Sequence, residues 1–331
     1  MNGRIAGLDV LRGIAILLVV LRHAVPDVFA GAGVVGVVVF FTLSGYLITG
    51  VLVRELATTG RVDYRRFYLR RARRLVPALV ALLVVFAVVT LVFDPLGDRG
   101  TLPATAAVLL TFTGNLPVAD ISAAAFHAWT LATEEQFYLL WPALLAFAWV
   151  RGRVGATLLA AAVTVLVACA AVLAWLWPYA DNAYTLPTSW FVCFVIGAAA
   201  RLRGDATRVP SALVPLMLVA LAALSLVPLR GHVLTYLGAA PVVACCTAVL
   251  LLAWSRWREL GDRDWVARPL AALGVVSYGA YLWNYPLTLW LRPDLGAWAG
   301  PLAAVLTIVA AALSWRFVEE PVMRRVRTRS S

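Results

Sequence analysis

Eleven apolar stretches follow one another along this chain of 331 residues, at 8–25, 33–53, 75–93, 104–117, 136–150, 154–177, 188–200, 210–228, 233–255, 269–291 and 297–318. Several reach the roughly 20 residues that a helix needs to cross the ~30 Å hydrocarbon core of a bilayer. Short polar loops separate them. A helix satisfies its own backbone polar groups, so repeated apolar stretches of this length predict an all-α, polytopic integral membrane bundle rather than a water-soluble core. The composition supports this, because 14% charged and 63% hydrophobic residues compare with about 25% charged in soluble domains.

Charge then sets topology. The formal charge of +11 comes from arginine, since the sequence contains no lysine, and that excludes Schiff-base or lysine-nucleophile chemistry. Nucleic acid is not an expected partner, because the arginines sit in short loops between apolar spans, where the positive-inside rule accounts for them. The loop after the second stretch holds Arg54, Arg61, Arg65, Arg66, Arg70, Arg71, Arg73 and Arg74, which places it and the N-terminus in the cytoplasm. The loops around Arg201, Arg203 and Arg208 and around Arg256, Arg258, Arg263 and Arg268, and the tail from Arg324, join it there only if one early stretch does not cross. The stretch at 104–117 is short, contains Thr111, Thr113, Gly114 and Asn115, and ends at Pro117. The expectation is therefore about ten transmembrane helices plus a re-entrant or broken segment near 104–134, with both termini cytoplasmic. One domain, 1–331, is expected in the inner or plasma membrane, without a cleaved signal peptide or soluble extension. Cys169, Cys193, Cys245 and Cys246 lie in apolar stretches without ligand spacing and read as reduced packing residues; no metal site is expected.

The first stretch, LDVLRGIAILLVVLRHA at 8–24, carries Asp9, Arg12, Arg22 and His23 at membrane depth. Ionisable groups there must pair or line a cavity. Arg12 and His23 are eleven positions apart, almost three helical turns, so they share one face roughly 16 Å apart along the axis.

Further on, FFTLSGYLITG at 40–50 offers Ser44 and Gly45 for close helix packing, and no G-x-S-x-G elbow surrounds the serine. RRFYLRRARRLVP at 65–77 reads as an interfacial helix entering the third span. Arg71 and Arg74, three residues apart, put two guanidinium forks on one face, suited either to gripping a phosphate or to contacting anionic lipid. FHAWTLATEEQFYLLWP at 126–142 interleaves His127, Thr130, Glu134, Glu135 and Gln136 with Trp129, Phe137, Tyr138 and Trp141. Thr133 is a candidate cap for the next helix, with the two glutamates in its first turn; a chemical role for them is the other reading. SYGAYLWNYP at 277–286 and FVEEPVMRR at 317–325 follow, with Glu319 and Glu320 open to simple pairing with nearby arginines. His232 reads as a solvated loop residue.

Together these motifs resemble the acyltransferase-3 family of bacterial membrane O-acyltransferases. Arg12 and His23 resemble its first-helix Arg-x10-His pair, Arg71 and Arg74 its R-x-x-R motif, and His127, Trp129, Leu131, Glu134, Gln136, Phe137 and Tyr138 its H-x-W-S-L-x-x-E-x-Q-F-Y motif, with Thr130 in place of Ser. WFVCFVIG at 190–197 resembles its short aromatic span closing on glycine, and FVEEPVMRR at 317–325 resembles its terminal acid-x-Pro signature. Asn284 stands where that family commonly has His, which leaves this position a hydrogen-bonding role without proton transfer.

The resemblance implies transfer of an acyl group, acetyl by default, from cytoplasmic acyl-coenzyme A to a hydroxyl of a glycan sugar or a macrolide-type molecule. Arg71 and Arg74 would bind the coenzyme phosphates. Such a transfer needs a base for the alcohol proton and stabilisation of an oxyanion. His23 is expected as the base, assisted by Glu134, with Arg12 neutralising charge and His127 contacting the acceptor or completing a relay. Trp129, Ser44, Tyr138 and Asn284 are the expected substrate contacts. The competing reading is a proton-coupled secondary transporter, which intramembrane Arg, His and Glu and a broken segment would also suit.

Overall fold

The computed structural model describes residues 5–117, 119–204, 207–261 and 263–328. Thirteen α-helices and no strand are found among the described residues: α1 Ala6–Ala24, α2 Ala32–Thr59, α3 Tyr64–Val92, α4 Leu102–Thr111, α5 Ala128–Val150, α6 Val154–Trp175, α7 Phe191–Arg203, α8 Leu213–Leu226, α9 Ala240–Trp254, α10 Ala267–Val275, α11 Ser277–Leu295, α12 Ala299–Ser314 and α13 Glu320–Thr328. A π-helical turn, Thr235–Ala239, leads into α9, and another, Trp315–Glu319, joins α12 to α13.

Among the described residues five helical stretches are long and apolar enough to cross a membrane: Ala32–Thr59, Tyr64–Val92, Val154–Trp175, Thr235–Trp254 and Ser277–Arg324. The 13 residues of α7 and 14 of α8 extend only about 20 Å each at 1.5 Å per residue. Burial shows what solvent the fold is built for. On α6 only Cys169 and Leu173 are buried, while Leu159, Val163 and Val167 point outward at 68%, 52% and 63% exposure. Water would penalise such a helix and lipid does not. The region expected to be broken contains α4, ten residues long and about 15 Å in extent. It ends at Phe112 in the left-handed region, φ 52°, and a 3-10 turn, Ala123–Ala125, precedes α5.

The chain forms two interleaved compact units, one from the N-terminus to Arg22, Asp27–Val62 and Ala132–Gly274, the other from His23–Pro26, Asp63–Leu131 and the residues after Gly274. In the first, α2 and α7 touch backbone to backbone. A Cβ on Gly45 would lie 2.0 Å from the carbonyl oxygen of Phe194, and one on Gly197 would lie 2.0 Å from that of Thr42. Small residues are what allow helices to approach this closely in lipid, where no hydrophobic force drives them together. The approach stacks Phe194 between Phe41 at 4.6 Å and Phe137 at 4.4 Å. Likewise α1 meets α10 through Gly13, whose added Cβ would fall 1.9 Å from the Leu270 carbonyl oxygen, and Gly274, at the same distance from that of Asp9.

In the second unit α11 packs on α12 and α3. Its core joins Ala78, Leu79 and Leu82 of α3 with Leu109, Ala125, Ala128, Leu131, Leu282 and Trp283. Asp63 caps α3 by accepting from Arg66 N at 2.9 Å, so the arginine-rich stretch and the apolar span form one helix that runs through Pro77.

Gly197→Val should open the α2–α7 seam and destabilise the protein by about 3 kcal/mol, the upper range for overpacking. A lowered thermal midpoint in detergent would register it, with Ala199→Val, at a partly exposed position of the same helix, as control.

Candidate active site

The second unit brings two imidazoles together on one face of α11. Tyr281, Asn284, Tyr285 and Thr288 repeat at three- and four-residue spacing, so their side chains line one stripe of that helix. His23, in the last turn of α1, places Nδ1 2.5 Å from Asn284 Oδ1. Asn284 is 1% exposed and its Nδ2 donates to Thr307 Oγ1 of α12 at 3.1 Å. Thr288 Oγ1 donates to the Asn284 carbonyl at 2.8 Å. Gly300, at the start of α12, lets that helix close on the end of α1: a Cβ there would be 2.4 Å from the His23 carbonyl oxygen.

The Tyr285 ring lies against both histidines, 5.1 Å from His23 and 5.6 Å from His127 between centroids. Phe126 and Tyr281 extend this wall. The Tyr281 hydroxyl donates to the His127 carbonyl at 3.3 Å and bonds Thr130 Oγ1 at 2.6 Å, fixing the entry to α5. His127 itself is 6% exposed, and neither ring nitrogen makes a hydrogen bond of ordinary geometry, although main-chain groups of Ala124 and Leu282 lie near. A buried polar atom left unpaired costs about 1–3 kcal/mol, so this imidazole is suited to a polar guest.

In the first unit Glu134 is held by two hydroxyls. Ser44 Oγ donates to Oε1 at 2.5 Å, and the Tyr138 hydroxyl, one turn along α5, donates to the same oxygen. The capping role weighed for Thr133 does not occur, because α5 begins at Ala128 and Thr133 and Glu134 sit inside it. Helical backbone continuing through the polar residues overrode the cap signal. Ser44 and Tyr138, both expected as substrate contacts, are the two donors that orient this carboxylate. Trp129, 2% exposed, is part of the packed interior. Arg12, expected to neutralise a reacting charge, pairs with Asp9 one turn away at 3.0 Å, with side-chain exposures of 20% and 8%.

Arg71 is half-buried and Arg74 exposed near the start of α3, three residues apart as expected. Simple pairing with arginines holds for Glu320, which contacts Arg324 at 2.8 Å and Arg316 at 3.7 Å. Glu319 is turned inward by the π-turn: it is 5% exposed and accepts from Ser314 Oγ at 3.0 Å, with the Arg74 charge also acting on it. His232 is exposed, and Cys245 is too, whereas the other three cysteines are buried. Tyr281, Tyr285 and Thr307 escaped the sequence reading. Their signal was polar atoms at helical spacing in SYGAYLWNYP; the Thr307 contact comes from a separate helix and had none.

The profile of the family described as acyltransferase domain matches residues 5–318. YrhL of Bacillus subtilis, whose provisional name is peptidoglycan O-acetyltransferase, is 32% identical over 96% of this chain and 55% of its own length. Peptidoglycan O-acetyltransferase OatA of Listeria monocytogenes is 28% identical over 97% of this chain and 56% of its own. O-acetyltransferase OatA of Staphylococcus aureus is 25% identical over 96% and 57%. The chain thus spans about half the length of these curated relatives. No solved structure matches it.

Removing Arg12 should cost up to about 3 kcal/mol, because the buried Asp9 carboxylate loses a charged partner. Arg12→Met alone should therefore be less stable than Asp9→Asn with Arg12→Met, as read from unfolding in micelles. Strict additivity would mean that the two are uncoupled.

Proposed function

Because this chain belongs to the acyltransferase domain family, we propose that it is a membrane O-acyltransferase that moves an acetyl group from cytoplasmic acetyl-coenzyme A to a sugar hydroxyl of an extracytoplasmic glycan. The names of the relatives point to peptidoglycan as the acceptor class, and nothing in the site favours a macrolide over it. About ten crossings, with 104–117 entering without crossing and both termini inside, would put the Arg71–Arg74 face on the coenzyme side.

The observation that carries this reading is the half-buried imidazole of His23, fixed by a hydrogen bond and set against an aromatic wall beside a second imidazole. On this reading His23 removes the proton of the acceptor hydroxyl as its oxygen attacks the thioester carbonyl carbon. The carbon–sulfur bond breaks, and the imidazolium returns the proton to the departing sulfur. The products are an O-acetyl ester and free coenzyme A thiol. His127 binds the acceptor or the developing oxyanion through its ring nitrogens, which have no other strong claim on them. Glu134, oriented by Ser44 and Tyr138, supplies a carboxylate, and Arg12 contributes positive charge. Arg71 and Arg74 grip the coenzyme phosphates, a task for which paired guanidinium forks are suited. Holding donor and acceptor in register supplies much of the acceleration, since a thioester is already activated.

In purified protein supplied with acetyl-coenzyme A and a peptidoglycan glycan fragment, His23→Ala should lower thiol release by at least about 100-fold. Full activity in this folded variant would remove His23 from the mechanism. Solute uptake without thiol release would return the chain to the transporter class. Arg71→Ala with Arg74→Ala should raise the Kd for acetyl-coenzyme A by about tenfold or more, two charge-assisted contacts being lost. Unchanged affinity would assign both residues to lipid.

A further inference from the structure

A neutral imidazole has one N–H and one lone pair, and only the nitrogen with the lone pair can take a proton. Which nitrogen of His23 that is follows from Asn284. The amide nitrogen of Asn284 is committed to Thr307 Oγ1 at 3.1 Å, and Thr307 is fully buried, so no water competes for it. The amide therefore turns its oxygen to His23, 2.5 Å from Nδ1. A carbonyl oxygen accepts and never donates, so the ring proton sits on Nδ1. The backbone of α11 is held at this point by Thr288, and Tyr285 meets the imidazole at 62° and 5.1 Å, restraining rotation of the ring.

We propose that Asn284, anchored by Thr307, is a positioning residue that locks His23 in the Nδ1–H tautomer and makes Nε2 the reactive atom of acyl transfer. The proposal rests on the reading of His23 as the general base. In the reaction Nε2 takes the proton of the acceptor hydroxyl while the acceptor oxygen bonds to the thioester carbon, and Nε2 then delivers that proton to the sulfur as the carbon–sulfur bond breaks. The proton on Nδ1 stays there throughout, donated to the Asn284 oxygen. An amide is suited to this position because it fixes direction without adding a charge. A carboxylate here would be buried and uncompensated whenever the imidazole is neutral.

The test uses protein in nanodiscs, with acetyl-coenzyme A and a peptidoglycan glycan fragment as substrates. Asn284→Leu keeps the volume and removes the acceptor. It should lower kcat by about 100-fold while the KM for acetyl-coenzyme A stays within about twofold, because uniform binding is untouched. Thr307→Val, which frees the amide to rotate, should lower kcat by about tenfold, the lower part of the range for losing a supporting hydrogen bond behind a functional imidazole. Nitrogen NMR of histidine-labelled protein, with the His23 signals assigned by their loss in His23→Ala, should show Nδ1 protonated and Nε2 bare in the unaltered protein. This preference should fade in both variants.

A proton found on Nε2 would overturn the proposal, as would wild-type kcat in either Asn284→Leu or Thr307→Val. The nitrogen spectrum of the unaltered protein decides the point even if Asn284→Leu does not fold. Loss of activity in His23→Ala with full activity in Asn284→Leu would sink this inference alone. Full activity in His23→Ala would sink the catalytic reading on which it rests.

Discussion

Hydrocarbon offers no hydrogen bonds, so a polar atom carried into the bilayer must find its partner inside the protein or pay several kcal/mol. The polar side chains of this chain are arranged around that constraint. Asp9 answers Arg12 within one turn of α1. Glu134 is met by Ser44 and Tyr138, Trp141 Nε1 by Thr49 at 2.8 Å, and Asn284 by His23, Thr307 and the hydroxyl of Thr288. The buried ring nitrogens of His127 make no hydrogen bond of ordinary geometry, although main-chain groups of Ala124 and Leu282 lie near, and the ring lies in the wall that also touches His23.

The same medium explains how the helices are held. Lipid tails are as apolar as leucine, so contact must come from close van der Waals fit. Gly45 and Gly197 provide it between α2 and α7, Gly13 and Gly274 between α1 and α10, and Gly300 at the end of α1. These contacts also serve the chemistry. The Gly300 approach fixes the turn that carries His23, and the α11–α12 packing brings Thr307 to Asn284. A group seated on packed helices reorganises little, and charges in a low-dielectric interior interact more strongly than they do in water.

Local signals failed where the tertiary environment outweighed them. Thr133 followed by two glutamates has the composition of a helix start, yet α5 begins at Ala128, where the Tyr281 hydroxyl ties down Thr130 and the His127 carbonyl. Glu319 and Glu320 are adjacent and chemically alike, but one extra residue in the π-turn sends the first inward to Ser314 and leaves the second with the surface arginines.

The sequence by itself determined that this is an all-helical membrane protein, because apolar length leaves the backbone no other common solution, and it singled out Arg12 and His23 as polar groups in an apolar run, costly enough to need a reason, and Arg71, Arg74, His127 and Glu134 by their motifs. It also placed Asp9 one turn from Arg12, since spacing along a single helix is readable from numbering. The pairing of His23 with Asn284, 261 positions away, and of Asn284 with Thr307 on another helix was decided only by tertiary structure. Helical periodicity says which side chains share a face, but which faces meet is set by packing between helices, and no local pattern encodes it.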